Sequence, residues 1–220
     1  MVGELTAAAK VGPRLTLLEI ADPAASWHAA GLPVADDAVQ LERTRLQLTA
    51  DSAATGVTGW GFEPSPPGET LDGVPLVASG AIPSTGTSAG PHPNGVTSID
   101  HVVVATPHLD RTIDALVDAG FELRRTRATR LGDRPATQAF LWAGDVILEV
   151  MGVDGEEGDG PATIWGLAMV ADDLDRTVAW LGPDRCGPAG DAVQTGRRIA
   201  TVRTRALGIS VPIALMTPHR

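Results

Sequence analysis

The chain has 220 residues, enough to bury a substantial core in one large domain or two small ones. Its net charge of −10 argues against a nucleic-acid or anionic-membrane partner, because attraction to phosphate supplies most non-specific affinity. Cys186 is the sole cysteine, which leaves no intramolecular disulfide or thiolate metal cluster and points to a reducing cytoplasm.

In chain order, no apolar run approaches the ~18 residues of a membrane helix, and the N-terminus reads as a frayed arm over 1–13 without a signal sequence. Leu15–Ile20 is predicted as a strand. It is followed by a helix over Pro23–Ala30 that starts at Asp22-Pro23, anchors on Trp27 and stops at Gly31. Ala38–Thr49 alternates as a half-buried strand pair would, and Val57–Phe62 closes this unit as a short strand. Residues 14–63 are therefore expected to form one abbreviated βαβββ-like unit. Residues 64–97 are punctuated by Pro, Gly, Ser and Thr, most densely over Ser84–Gly95, and read as a linker carrying the domain boundary.

The stretch IDHVVVATPHLDRTIDALVDAG (Ile99–Gly120) is the clearest unit in the chain. An apolar β-rich run leads to Thr106 as helix cap and Pro107 in the first turn. Leu109, Ile113, Leu116 and Val117 then make one apolar helix face, and Gly120 is the stop. Strands over Phe121–Arg130, Thr137–Trp142 and Val146–Met151 follow. The design recurs from Ile164, where IWGLAMVADDLDRTVAWLG gives a strand, an Asp cap, a helix and a stop at Gly182. Leu-Asp-Arg-Thr is identical at 109–112 and 174–177, which marks a duplicated half-domain over 98–152 and 163–217. The fold class expected is α+β: tandem βαβββ modules forming a cupped mixed sheet, preceded by the abbreviated unit. That N-terminal unit needs cover, either on the C-terminal domain or against its copy in a homodimer.

Two residues break the apolar pattern of their strands. His101 and Glu149 are ionisable groups that would need each other, a metal or another polar partner if buried. An imidazole and a carboxylate suit Zn, Fe, Mn, Ni or Co alike. Aligned on Leu-Asp-Arg-Thr, His101 falls on Gly166, and Glu149 falls on Ala214, or on Leu215 with one residue of slack. Gln138 is a candidate pocket amide, Trp142 and Trp165 are candidate pocket walls, and Arg198 is a candidate anchor for a carboxylate or phosphate.

Tandem units beginning I-D-H-V-V-V-A-T-P-x-L-D-R-T and ending V-I-L-E-V resemble the vicinal oxygen chelate superfamily, which includes glyoxalases, bleomycin-resistance proteins and extradiol dioxygenases. The resemblance is specific over 98–152, good over 163–217 and weak over 14–63. It implies two modules paired into a cup, with a divalent metal held by a His from the first strand and a Glu from the last strand of each module. Those positions are His101 and Glu149 here, and Glu149 would also serve as the catalytic base. Two functions are thereby implied. One is a metal-dependent lyase, isomerase or dioxygenase acting on a small oxygenated molecule. The other is a metal-free protein of the bleomycin-resistance type that binds or sequesters a small molecule.

Overall fold

The computed structural model describes residues 12–50, 53–78 and 92–219, so all but the last two residues of the expected N-terminal arm and the middle of the expected linker lie outside the described residues. The first unit comprises β1 (Arg14–Ile20), α1 (Ala24–Ala29), β2 (Ala38–Leu41), β3 (Thr44–Leu48) and β4 (Val57–Glu63). Its sheet runs β2-β3-β1-β4, with β1 parallel to β3 and antiparallel to β4.

A hairpin of β5 (Thr70–Leu71) and β6 (Val74–Pro75) follows. This part of the expected linker is folded. Leu71 and Val74 are buried, and the hairpin's Asp72 accepts from Arg111 Nε at 2.6 Å and Nη2 at 3.3 Å, a two-pronged ion pair.

The second unit is β7 (Val96–Ala105), α2 (Leu109–Asp118), β8 (Glu122–Leu131), β9 (Arg134–Ala143) and β10 (Val146–Val153). The third is β11 (Thr163–Ala171), α3 (Leu174–Leu181), β12 (Gly190–Asp191), β13 (Arg198–Thr201), α4 (Thr204–Leu207) and β14 (Ile213–Met216). They share one sheet in the order β12-β13-β14-β11-β7-β10-β9-β8, joined where β7 and β11 run antiparallel. In each unit the first strand is parallel to the last, and the remaining strands continue outward from it. The expected α+β class with tandem βαβββ modules is what the structure has.

Both repeat helices begin at Leu-Asp-Arg-Thr, but they are capped differently. Asp173 accepts from Arg176 N–H at 3.0 Å, as a capping aspartate should. In α2 the cap is His108, whose Nδ1 accepts from Arg111 N–H at 3.3 Å. Thr106, the expected cap, instead accepts from His108 N–H and Thr112 Oγ1–H, so the helix starts two residues later and Pro107 stays outside it. Gly120 (φ 93°) and Gly182 (φ 75°) end the two helices.

Strand β4 also corrects the reading of the first unit. It lies antiparallel beside β1 as β11 lies antiparallel beside β7, so it holds the place of the first strand of a further unit rather than the last strand of its own.

One apolar cluster fastens the first unit to the rest. Val102, Val104, Leu148 and Val150, all on one face of the eight-stranded sheet, join Leu18, Leu46, Trp60 and Phe62 of the four-stranded sheet. Phe62 meets Trp60 and Phe121 edge to face, at centroid distances of 5.2 and 4.9 Å. Asp22, expected to start α1, is buried instead and accepts from Trp27 Nε1–H and Ser210 N–H. The N-terminal unit is thus covered by its own chain, the first of the two coverings expected. Among the described residues no helix is long and apolar enough to cross a membrane.

Candidate functional site

With one face of the eight-stranded sheet covered, the other is the concave face of the cup. Side chains alternate along a strand, so the registers assign the facing residues: His101, Val103 and Ala105 on β7, and Ile147, Glu149 and Met151 on β10. Gln138, Phe140 and Trp142 on β9 and Arg125 and Arg127 on β8 complete this face of the second unit.

A β-bulge organises the centre. Ala168 pairs with His101 and Met169 with Ile99, leaving Asp100 unpaired on β7. The extra residue turns Asp100 toward its neighbour instead of to the opposite face. Asp100 Oδ2 sits 2.8 Å from His101 Nδ1, and Asp100 Oδ1 accepts from Arg197 Nη2–H at 2.6 Å. Asp100 and Arg197 are both buried. Burial opposes the charge on Asp100, but the hydrogen bonds from His101 and Arg197 and the pull of the guanidinium outweigh it and hold the carboxyl at about 2. An ionised carboxylate only accepts, so Nδ1 of His101 carries a proton and Nε2 faces the cup.

Glu149 Oε2 lies 3.6 Å from that Nε2, beyond hydrogen-bond length. Its Oε1 accepts from Gln138 Nε2 at 2.5 Å, and Gln138 Oε1 accepts from Arg127 Nε–H at 3.1 Å. Arg197, Asp100, His101, Glu149, Gln138 and Arg127 form one polar bar across the cup floor.

Three of the candidates therefore come together: His101, Glu149 and Gln138. Trp142 is half-buried on the same face, beside the bar. Trp165 stands apart at the far end of the cup with 58% of its surface exposed. Arg198 faces away and pairs with Asp175 at 2.6 Å, while its neighbour Arg197 is the arginine that turns inward. The sequence reading missed Asp100, Arg197 and His219, whose Nε2 is 3.2 Å from Asp100 Oδ1. Asp100 was visible as a second charge in an apolar strand, but nothing local signalled the other two. His92 is buried and bonded to the Gln40 carbonyl on β2.

The metal implied by the resemblance can be tested on the donor set. Leu148 opposes Val102 as Ile213 opposes Leu167, so the Leu-Asp-Arg-Thr alignment holds in three dimensions and places Ala214, not Leu215, at the Glu149 position. A Cβ at Gly166, the His101 counterpart, would lie 2.9 Å from the Pro212 carbonyl oxygen. The third unit thus has no room for a ligand at one position and a methyl group at the other. Protein sites for such metals ordinarily use at least three protein donors. Among the described residues no group of three or more His, Cys, Asp or Glu is placed to hold an ion. His101 and Glu149 alone do not make a resident metal site.

Two cavities flank the bar. One, of about 540 Å³, is lined by Phe140, Trp142, Ile147, Arg124, Arg125 and the loop carrying Arg197. Arg125 and Arg127 lie over the Phe140 ring, 4.9 and 5.4 Å from its centre. The other, of about 360 Å³, lies beyond Glu149 and is lined by Val103, Ala105, Leu131, Met151, Val153 and Trp165 among others.

No family model matches the chain, and no curated protein matches it. Among solved structures it is similar to a mutant 4-hydroxymandelate synthase from Streptomyces coelicolor, with 12% identity, coverage of 94% of this chain and 92% of that one, and a TM-score of 0.63. A catechol 2,3-dioxygenase matches with 10% identity, 96% and 93% coverage and a TM-score of 0.59. A homoprotocatechuate 2,3-dioxygenase mutant from Brevibacterium fuscum matches with 16% identity, 97% and 73% coverage and a TM-score of 0.58. At these identities the likeness is one of fold, the fold that this synthase and these dioxygenases share.

Proposed function

We propose that this chain, with its vicinal-oxygen-chelate fold, binds a small organic carboxylate in the cup without a resident metal. The observation that carries the reading is the 540 Å³ chamber, floored by Phe140 and Trp142 and walled by guanidinium groups, in a chain of net charge −10. Arg124 is paired with Glu122 and Arg197 with Asp100, so the uncompensated positive charge of the chamber is that of Arg125. Arg125 has no carboxylate partner among the described residues, so its fork is free for a two-pronged bond to a ligand. The aromatic floor would add apolar contact of the kind that fills small-molecule pockets.

His101 is the strand neighbour of Ile147 in the chamber wall, and its Nε2 would offer an open nitrogen to an oxygen or proton of the bound molecule. Asp100 fixes the ring's orientation, so that contact would be directional. The third unit's small residues, Gly166, Ala168 and Ala214, keep the opposite floor low and leave room for the ligand.

A second reading, a metal-dependent lyase, isomerase or dioxygenase using His101 and Glu149, has one observation on its side. The Asp100 bond to His101 Nδ1 is the kind of outer contact that orients metal-ligating histidines. It would require substrate oxygens to supply the remaining positions.

Elemental analysis of protein purified without a tag or chelator, before and after reconstitution with Fe, Mn, Zn and Ni, separates the two readings. Substoichiometric metal throughout, with saturable binding of benzoate or butanoate by calorimetry that weakens at least tenfold in Arg125→Ala, supports the metal-free cup. Near-stoichiometric metal that is lost in Glu149→Ala would overturn it.

A further inference from the structure

We propose that the cup is a two-chamber site and that its ligand is an amphipathic carboxylate, with its charged head in the 540 Å³ chamber and an apolar tail in the 360 Å³ chamber. This inference rests on the reading of the cup as a carboxylate site and adds the class of ligand.

The second chamber lies on the same concave face. Met151 and Val153 continue the alternation of Ile147 and Glu149 along β10, and Val103 and Ala105 continue that of His101 along β7. Its walls are Val103, Ala105, Leu131, Met151 and Val153, with Trp165 at its open end. Among the described large apolar side chains, Leu131 and Trp165 are unusually exposed, at 52% and 58%. Two large apolar groups bordering one apolar hollow are placed to close over an apolar occupant. The chamber's charged residues, Arg134 and Glu156, are bonded to each other at 2.5 Å, so they do not ask for a charged ligand.

The two chambers differ in kind. The first presents Arg125, which attracts an anion, beside Arg124, whose charge is already met by Glu122 at 2.7 Å. The second presents hydrocarbon. Between them, along β10, stands Glu149, so the step from Ile147 to Met151 is four residues, roughly 13 Å. A four-carbon acid stays in the first chamber, whereas a twelve-carbon acid reaches the second.

The polar bar in between does not bar the passage of a hydrocarbon chain. Its groups are already bonded to one another: Asp100 to Arg197 and His101, Glu149 to Gln138, and Gln138 to Arg127. A methylene chain lying over these bonded pairs strands none of their donors or acceptors, where the large cost would arise; His101 Nε2 and Glu149 Oε2, 3.6 Å apart, are the open atoms that the chain must pass beside rather than cover.

The experiment is calorimetric titration of the full chain with butanoate, octanoate and dodecanoate below their micelle concentrations, in wild type, Ala105→Trp and Trp165→Ala. Ala105→Trp plugs the second chamber. Trp165→Ala removes an exposed wall and carries little risk to folding. Wild type should bind the acids with affinity rising roughly two- to fourfold per methylene once the chain passes Glu149. Ala105→Trp should flatten that dependence while leaving butanoate binding within about twofold, and Trp165→Ala should reduce dodecanoate affinity several-fold more than butanoate affinity. Equal affinity for short and long acids, or a chain-length dependence that survives both variants, overturns the two-chamber proposal and leaves the carboxylate site standing. Absence of binding for the whole series overturns both.

Discussion

The second and third units share a topology, a helix start and a register, yet they present opposite surfaces to the cup. The second presents His101, Glu149, Gln138 and Phe140; at the matching places the third has Gly166 and Ala214. The third unit's contribution to the polar floor is made from a loop, where Arg197 reaches across to Asp100. Duplication thus supplies the scaffold, whereas chemistry is carried by whichever copy retains polar side chains on the concave face. The bare copy is not inert, because its small residues make the space.

The comparison is broken most severely at the buried ion pair between the units, Arg197 with Asp100. Arg197→Leu would leave Asp100 buried without its counter-charge, which costs about 3–5 kcal/mol when a buried pair loses one partner. For a chain of this size the melting temperature should fall by about 6–20 °C. The effect depends on pH in a defined direction. Asp100 titrates near 2 in the folded protein, against 3.8 as its reference, so its stabilisation is complete above about 3.8 and is lost as the pH falls through 2. The gap between wild type and Arg197→Leu should therefore be full at pH 7 and narrow in strong acid. A gap that stays constant from pH 6 to pH 2.5 would remove the ion pair as its cause.

Gly166→Ala tests why the third unit lacks a ligand. The added methyl would meet the Pro212 carbonyl oxygen at 2.9 Å, and backbone cannot move aside cheaply. A loss of about 1–3 kcal/mol in urea unfolding is expected, as for overpacked sites, with Ala214→Ser close to wild type. If both are neutral, the seam is adaptable and packing does not explain the missing donor. Gln138→Leu comes next in size. It removes the link that satisfies both Glu149 and Arg127, for a loss of about 1–2 kcal/mol.

How much of this was legible depends on how local each feature is. The two full units, their strand–helix alternation and the equivalence of Gly166 with His101 were visible because periodicity and the repeated Leu-Asp-Arg-Thr are written in short windows. His101, Glu149 and Gln138 could be proposed as neighbours because each interrupts a strand whose place in the unit was known. Asp100 was hidden by strand alternation, which would send it to the other face. Only the bulge, a feature of pairing with β11, turns it toward His101. The role of β4 likewise rests on pairing rather than composition. The β5–β6 hairpin did leave a signal, Asp72-Gly73, but it was swamped by the surrounding Pro and Gly.

The smallest expected effect belongs to Arg198→Ala, and it is the sharpest test of register. Arg197 and Arg198 are adjacent and chemically identical, so composition cannot rank them. Arg198 sits in an exposed pair with Asp175 in the first turn of α3, where solvent screens the attraction. Arg198→Ala should leave the melting temperature and carboxylate binding unchanged within error, whereas Arg197→Leu should be severely destabilised. Loss of binding in Arg198→Ala would mean that β13 presents its other face to the cup. The Arg197 end of the polar bar and the loop wall of the first chamber would then need to be redrawn together, since both depend on that one choice of face.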